Sequence, residues 1–93
     1  MINGNFQQTR TTVGVTAIRI GGLIINAIAY EEITLKADTA NAGVIYLGNT
    51  TSVTTTNGYP LEAGKEIKLR TANVNSIFAI SGNAGQILHI IAT

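Results

Sequence analysis

Residues 31–37 read Glu-Glu-Ile-Thr-Leu-Lys-Ala, and residues 65–70 read Lys-Glu-Ile-Lys-Leu-Arg. In the first stretch Ile33, Leu35 and Ala37 fall on one side of an extended chain. Glu32, Thr34 and Lys36 fall on the other. In the second, Ile67 and Leu69 alternate with Glu66, Lys68 and Arg70. Successive side chains of a strand point to opposite faces, so both stretches predict half-buried antiparallel strands. No segment carries a competing 3.6-residue period.

Outward from these anchors the chain keeps the same rhythm. Residues 11–20 predict a first strand, with Gly14 marking a bulge or close packing, and Gly21-Gly22 a turn. Residues 23–29 and 44–48 predict strands, and 53–55 a short one. Asn57-Gly58, followed by Pro60, is a turn signal, as is Glu62-Ala63-Gly64. Residues 73–75 turn into a strand over 76–81. Residues 82–85 read as a hairpin loop into a last strand over 86–92. Residues 1–10 are polar, anchored only by Phe6, and read as an extended arm. Seven or eight short strands at a spacing of about 8–12 residues predict an all-β chain. The expected fold is a small antiparallel β-sandwich or jelly-roll-like barrel over 11–93, with residues 1–10 as its arm.

Composition agrees. Ile occurs 14 times, Thr 13 and Val 5, so β-branched residues favouring a pleated surface dominate the chain. At 93 residues there is room for one domain, burying about 64% of its unfolded surface. Charged residues make up only 12%, against about 25% in a typical soluble domain. So neutral a surface implies cover by a partner. The net charge of +1 lacks the clustered basic footprint that nucleic acid needs. With no cysteine, a disulfide framework, thiolate zinc and cysteine nucleophiles are excluded. No signal-peptide core is read at the start, and no apolar run approaches the ~20 residues of a membrane helix.

Two predicted strands are apolar on both faces. Leu23 and Ile25 oppose Ile24 and Ile28, and Ile87 and Ile91 oppose Leu88 and Ile90. Either a barrel-like closure or overlying loop covers the second face, or another subunit does. The low charge favours the subunit, which assigns Leu23, Ile24, Ile28, Leu88, His89 and Ile90 to an interface.

Catalytic patterns are sparse. His89 is the single histidine, so a zinc or copper site has no ligand set and His89 reads as structural or interfacial. A nucleophilic triad requires Ser52, Ser76 or Ser81 to meet His89 and Asp38, and no nucleophile-elbow context surrounds those serines. Glu31 and Glu32 are adjacent on a strand and point apart, so they do not act as a pair. Residues 38–43 carry one carboxylate, too few for a calcium cage, and read as an Asx-turn through Asp38 and Asn41. Asn49-Thr50-Thr51 matches a glycosylation sequon, which chance readily produces in an Asn- and Thr-rich chain. Residues 82–85 lack the lysine and helix of a phosphate loop. No cofactor motif, enzyme activity or small-molecule substrate is expected. Tyr59, beside Pro60, is the tyrosine most suited to an exposed loop contact, the other reading being a rigid Tyr-Pro corner packed onto the sandwich.

The most specific run is Ala37-Asp38, Asn41, Gly43-Val44-Ile45-Tyr46-Leu47-Gly48-Asn49, Val53, Asn57-Gly58-Tyr59-Pro60-Leu61 and Ala63-Gly64. Ile67, Leu69, Ile77-Phe78-Ala79-Ile80-Ser81-Gly82 and Gln86-Ile87-Leu88 follow. With these residues the chain resembles small β-sandwich proteins encoded in the structural gene clusters of tailed bacteriophages. There an N-x-G-x-I-Y-x-G segment precedes a G-x-x-L-x-x-G turn and an I-x-A-I strand. The resemblance covers roughly residues 30–92, and its motifs are structural. It implies an accessory virion protein, assembled in the host cytoplasm: a capsid decoration, head-stabilising protein bound as a homotrimer to the major capsid protein. The arm residues Asn5, Phe6, Gln7, Gln8 and Arg10 are then the expected capsid contacts. The alternative is a domain of a phage fibre, spike or baseplate protein that binds host glycan, and a bacterial adhesin module is a third reading. Nucleic acid and membrane are not expected partners.

Overall fold

The computed structural model describes residues 6–20, 32–70 and 76–93. Eight strands lie in them: β1 (Gln7–Val13), β2 (Ile18–Arg19), β3 (Ile33–Ala37), β4 (Ile45–Gly48), β5 (Tyr59–Leu61), β6 (Glu66–Leu69), β7 (Phe78–Ser81) and β8 (Gln86–Ala92). The predicted strand over 23–29, Tyr30, and the turns at 21–22 and 73–75 lie outside the described residues.

The pairing follows one rule. β4 pairs β5, β3 pairs β6, β2 pairs β7 and β1 pairs β8, all antiparallel. The chain is thus one long two-stranded ribbon closed by the connection between β4 and β5. Rolling that ribbon adds β3 against β8 and β4 against β7. Two four-stranded sheets result, in the orders β1-β8-β3-β6 and β2-β7-β4-β5. This is the topology of an eight-stranded jelly roll. The connections β1–β2, β3–β4, β5–β6 and β7–β8 all pass between the sheets at one end, the corner end. The β4–β5 connection, Phe6, Arg70 and Ser76 lie at the opposite end.

The core lies between the sheets, and alternation puts it there. Ile33, Leu35 and Ala37 from β3, and Leu88, Ile90 and Ala92 from β8, meet Ile45, Leu47, Leu61 and Ala79 from the other sheet. Burying such aliphatic side chains contributes about 1.5–3 kcal/mol each. Ile67 and Leu69 pack on this core from β6 while remaining half-exposed.

Four expectations are corrected. Leu88 and Ile90 are 0% and 1% exposed within the single chain, so they are core residues and not subunit contacts. The outer face of β8 is instead Ile87, His89 and Ile91, all half-buried. The first strand begins at Gln7: Gln7, Gln8, Thr9 and Arg10 pair with Ala92, Ile91, Ile90 and His89, so the last four of the ten residues of the expected arm belong to the sheet. Its polar composition hides this, because an edge strand is held by backbone bonds as much as by buried side chains. Residues 82–85 are not a hairpin, since β7 and β8 belong to different sheets. Residues 53–55 form no strand, whereas Tyr59–Leu61 do.

Candidate interaction surfaces

Three features stand out, and each draws residues from the specific run quoted above. The first is the corner where β3 leaves its sheet. Ile87 N–H donates to Asn41 Oδ1 at 2.8 Å, and Asn41 Nδ2 donates to the Ile87 carbonyl at 2.9 Å, which also accepts Asp38 N–H at 3.0 Å. The Asn41 amide therefore imitates a peptide group and extends the β3–β8 pairing past the end of β3. Gln86, 4% exposed, accepts Gly43 N–H at 2.8 Å and donates to the Ala84 carbonyl at 2.9 Å. Ser81 donates to the Val44 carbonyl at 2.8 Å and accepts Asn83 N–H at 3.2 Å. These bonds satisfy the buried polar groups that a corner would otherwise orphan.

Asp38 and His89 meet on the outer face beside this corner. His89 Nε2 and Asp38 Oδ1 are 2.8 Å apart, and Asp38 Oδ2 accepts Ala40 N–H at 3.0 Å. The hydrogen bond from His89 holds the Asp38 carboxyl below its ordinary value of 3.8, helped by the Ala40 amide and by the nearby His89 and Arg10 charges. Two members of the triad weighed from sequence are thus in contact. The Ser81 hydroxyl is engaged with Val44 and Asn83 on the other sheet, and Ser76 precedes β7 of that sheet. The pair therefore has no serine nucleophile from either position. Its immediate effect is to tie the 38–43 segment to the middle of β8.

The second feature is the 49–58 connection. Val53 is 5% exposed although its neighbours face solvent. It sits over Gly48 and Gly58, where a Cβ would lie 2.5 Å from Val53 Cβ and 3.0 Å from Val53 Cγ2 respectively. Asn57 accepts Thr54 N–H at 2.7 Å, and Thr54 Oγ1 accepts Asn57 N–H at 3.1 Å and Thr56 N–H at 3.2 Å. The loop is therefore fastened to the outer face of β4 and bonded to itself, with Thr50, Thr51, Ser52, Thr55 and Thr56 turned outward. On the same outer face, the Arg19 guanidinium covers the Phe78 ring, with Cζ 5.7 Å from its centroid. The Arg19 side chain thus supplies part of the second cover that a β7 strand apolar on both faces requires.

The third feature is the end opposite the corners. Phe6 is 60% and Tyr59 57% exposed, and they occupy the same end at opposite lateral edges. Beside Tyr59 a cleft of about 380 Å³ opens between the edges of the two sheets, lined by Leu47, Ile67, Leu69 and Ile77 among others.

Of the predicted site residues, Asn5, Leu23, Ile24 and Ile28 lie outside the described residues. Tyr59 is exposed and lies on a strand, not on a loop and not in a packed corner. Gln8 and Arg10 were expected at one contact and His89 at another, and the structure brings all three onto one surface. Gln8 and Arg10 lie on the outer face of β1, with Arg10 directly opposite His89. Gln7 turns toward the core side and is half-buried. Nothing in the local sequence announces the Asp38–His89 pairing, because the two residues are 51 positions apart. Among the described residues, no cluster of three or more His, Cys, Asp or Glu is placed to hold a metal. No helix among them is long and apolar enough to cross a membrane. No protein-family model, curated protein or solved structure matches the chain.

Proposed function

We propose that this chain is an accessory structural protein of a tailed-bacteriophage virion, a capsid decoration protein that binds the major capsid protein from outside as a homotrimer. Jelly rolls serve as viral capsid and lectin domains, and so fold alone does not choose between them. The observation that carries the reading is the end bearing Phe6 and Tyr59: two exposed aromatics on a hydroxyl-rich surface that also carries Arg70. A cementing protein needs a stiff unit with a shape-matched, weakly charged underside, and several copies bound together multiply modest single contacts. The residues behind the bacteriophage resemblance support stiffness: Asn41, Gly48, Val53, Asn57 and Gly58 fasten corners and loops.

The test is sedimentation of the purified protein with undecorated heads. The protein is expected to pellet with heads in saturable, fixed proportion. Tyr59→Ala and Phe6→Ala should each weaken binding while leaving the urea midpoint of the free protein unchanged. A protein that stays in the supernatant at all concentrations contradicts the reading. Binding to host cells in place of heads would favour the fibre or spike alternative.

A further inference from the structure

The four sheet edges of this jelly roll are unequal. β2 has two residues, and β5 has three with Pro60 at its centre; short strands and proline both blunt an edge. The other sheet ends on β1, with seven residues and no proline, and on β6, with four. Among the described residues, its two edges are therefore the ones left for strand addition.

Their backbone polarity follows from the hydrogen bonds. Ile87 N–H and C=O face Asn41 and Asp38, toward β3. Alternation then turns Leu88 and Ile90 toward β1, where they meet Thr11 and Thr9. Gln8, Arg10 and Thr12 consequently direct their N–H and C=O groups away from β8. On the other edge, Ala37 N–H donates to the Lys65 carbonyl, so Ala37, Leu35 and Ile33 face β6. Their partners Ile67 and Leu69 face back, which leaves Glu66 and Lys68 directing their backbone groups outward. The side chains of Gln8, Arg10, Glu66 and Lys68 are all exposed, on the outer face of one sheet.

We propose that β6 of one copy pairs antiparallel with β1 of the next, joining their sheets edge to edge, with Glu66 opposite Arg10 and Lys68 opposite Gln8. Direction fits. The order β1-β8-β3-β6 is antiparallel throughout, so β1 and β6 run oppositely. A copy rotated about an axis along the strands presents its β1 antiparallel to the first copy's β6. Charge selects the register. Moving β1 by two residues one way sets Lys68 against Arg10, a like-charge pair. Moving it the other way sets Glu66 against Gln8 and loses the ion pair. Self-pairing of β1 in its fullest register centres on Arg10 facing Arg10, which is also unfavourable. The joint covers the exposed flanks of Ile67 and Leu69 with Thr9 and Gln7 of the neighbouring copy. Such an interface is heterologous and closes into a ring when the rotation per copy divides a full turn. That the ring has three members rests on the homotrimer proposed above; the joint itself does not.

The chain has no cysteine, so a pair can be introduced cleanly. Hydrogen-bonded antiparallel partners sit about 5.5 Å apart at Cα, within disulfide range. Gln8→Cys/Lys68→Cys in one chain should give intermolecular disulfides on mild oxidation, including a closed ring. The register control Thr12→Cys/Lys68→Cys should not. In sedimentation equilibrium, Arg10→Glu and Glu66→Arg should each weaken association roughly fivefold or more. The combined swap should restore it to within about twofold. These are exposed positions, and an unchanged urea midpoint confirms folding. A wild-type protein that stays a 9.8 kDa monomer at micromolar concentration overturns the joint, as do equal yields from both cysteine pairs or no rescue by the swap. If cross-linking fails while the protein still pellets with heads, the joint is wrong and the decoration reading stands. If cross-linking is specific but heads are not bound, the joint stands and the decoration reading is wrong.

Discussion

Replacing Gly48 with alanine tests the packing that holds the 49–58 loop. The new methyl would sit 2.5 Å from both Cβ and Cγ2 of Val53. Cβ is fixed to the backbone, so no rotamer of Val53 relieves the contact and the loop itself must lift. Lifting it exposes a valine now 5% accessible and strains the bonds among Thr54, Thr56 and Asn57. Overpacking of this kind costs about 1–3 kcal/mol. For a domain of this size that lowers Tm by roughly 4–8 °C per kcal/mol. Gly82→Ala is the matched control, because its methyl would meet only Thr55 Cγ2 at 3.8 Å, an ordinary contact. Urea unfolding followed by circular dichroism measures both. A Gly48→Ala midpoint equal to that of Gly82→Ala would refute the close approach of loop to strand.

Asn41→Ala removes both bonds to Ile87 and leaves its N–H without its partner, so it should destabilise by about 1–3 kcal/mol in the same assay. Ile90→Asp places a charge in the core and should yield an unfolded chain, not a folded monomer released from a trimer; sharp, dispersed amide resonances from that variant would contradict the fold. The Asp38 carboxyl is depressed below 3.8 in the folded state, so the unfolded chain binds more protons in that range. Its stabilisation is present above pH 3.8 and is lost as pH falls through the folded value. The stability gap between wild type and Asp38→Asn should therefore close on acidification from pH 5 to pH 2, and a constant gap would argue against the pairing with His89.

The parts of the fold legible in sequence are those whose side chains alternate between a dry and a wet face. β3 and β6 are plain because Ile33, Leu35, Ile67 and Leu69 are punctuated by charges. β1 is only half legible because Gln7, Thr9 and Thr11 face the core side yet are polar, and its membership in the sheet is a matter of backbone pairing with β8. The hairpin expected at 82–85 fails for a related reason. Turn residues announce a reversal but not whether the chain returns within its own sheet or crosses to the other. Apolar residues on both sides of β8 suggest a subunit contact. Local sequence does not tell a strand sandwiched at the centre of a sheet from one facing another molecule. The site is less legible still. Asp38 and Asn41 are recognisable as turn-forming, but their bonds to His89 and Ile87 link positions 51 and 46 apart.

The most direct test of the central claim is a cryo-electron microscopy map of the bacteriophage particles proposed to carry this protein. Jelly-roll density is expected on the outer shell, in groups of three, with the end bearing Phe6 and Tyr59 against the major capsid protein. A shell free of such density, with the protein found in the tail or absent from the particle, would contradict the decoration role.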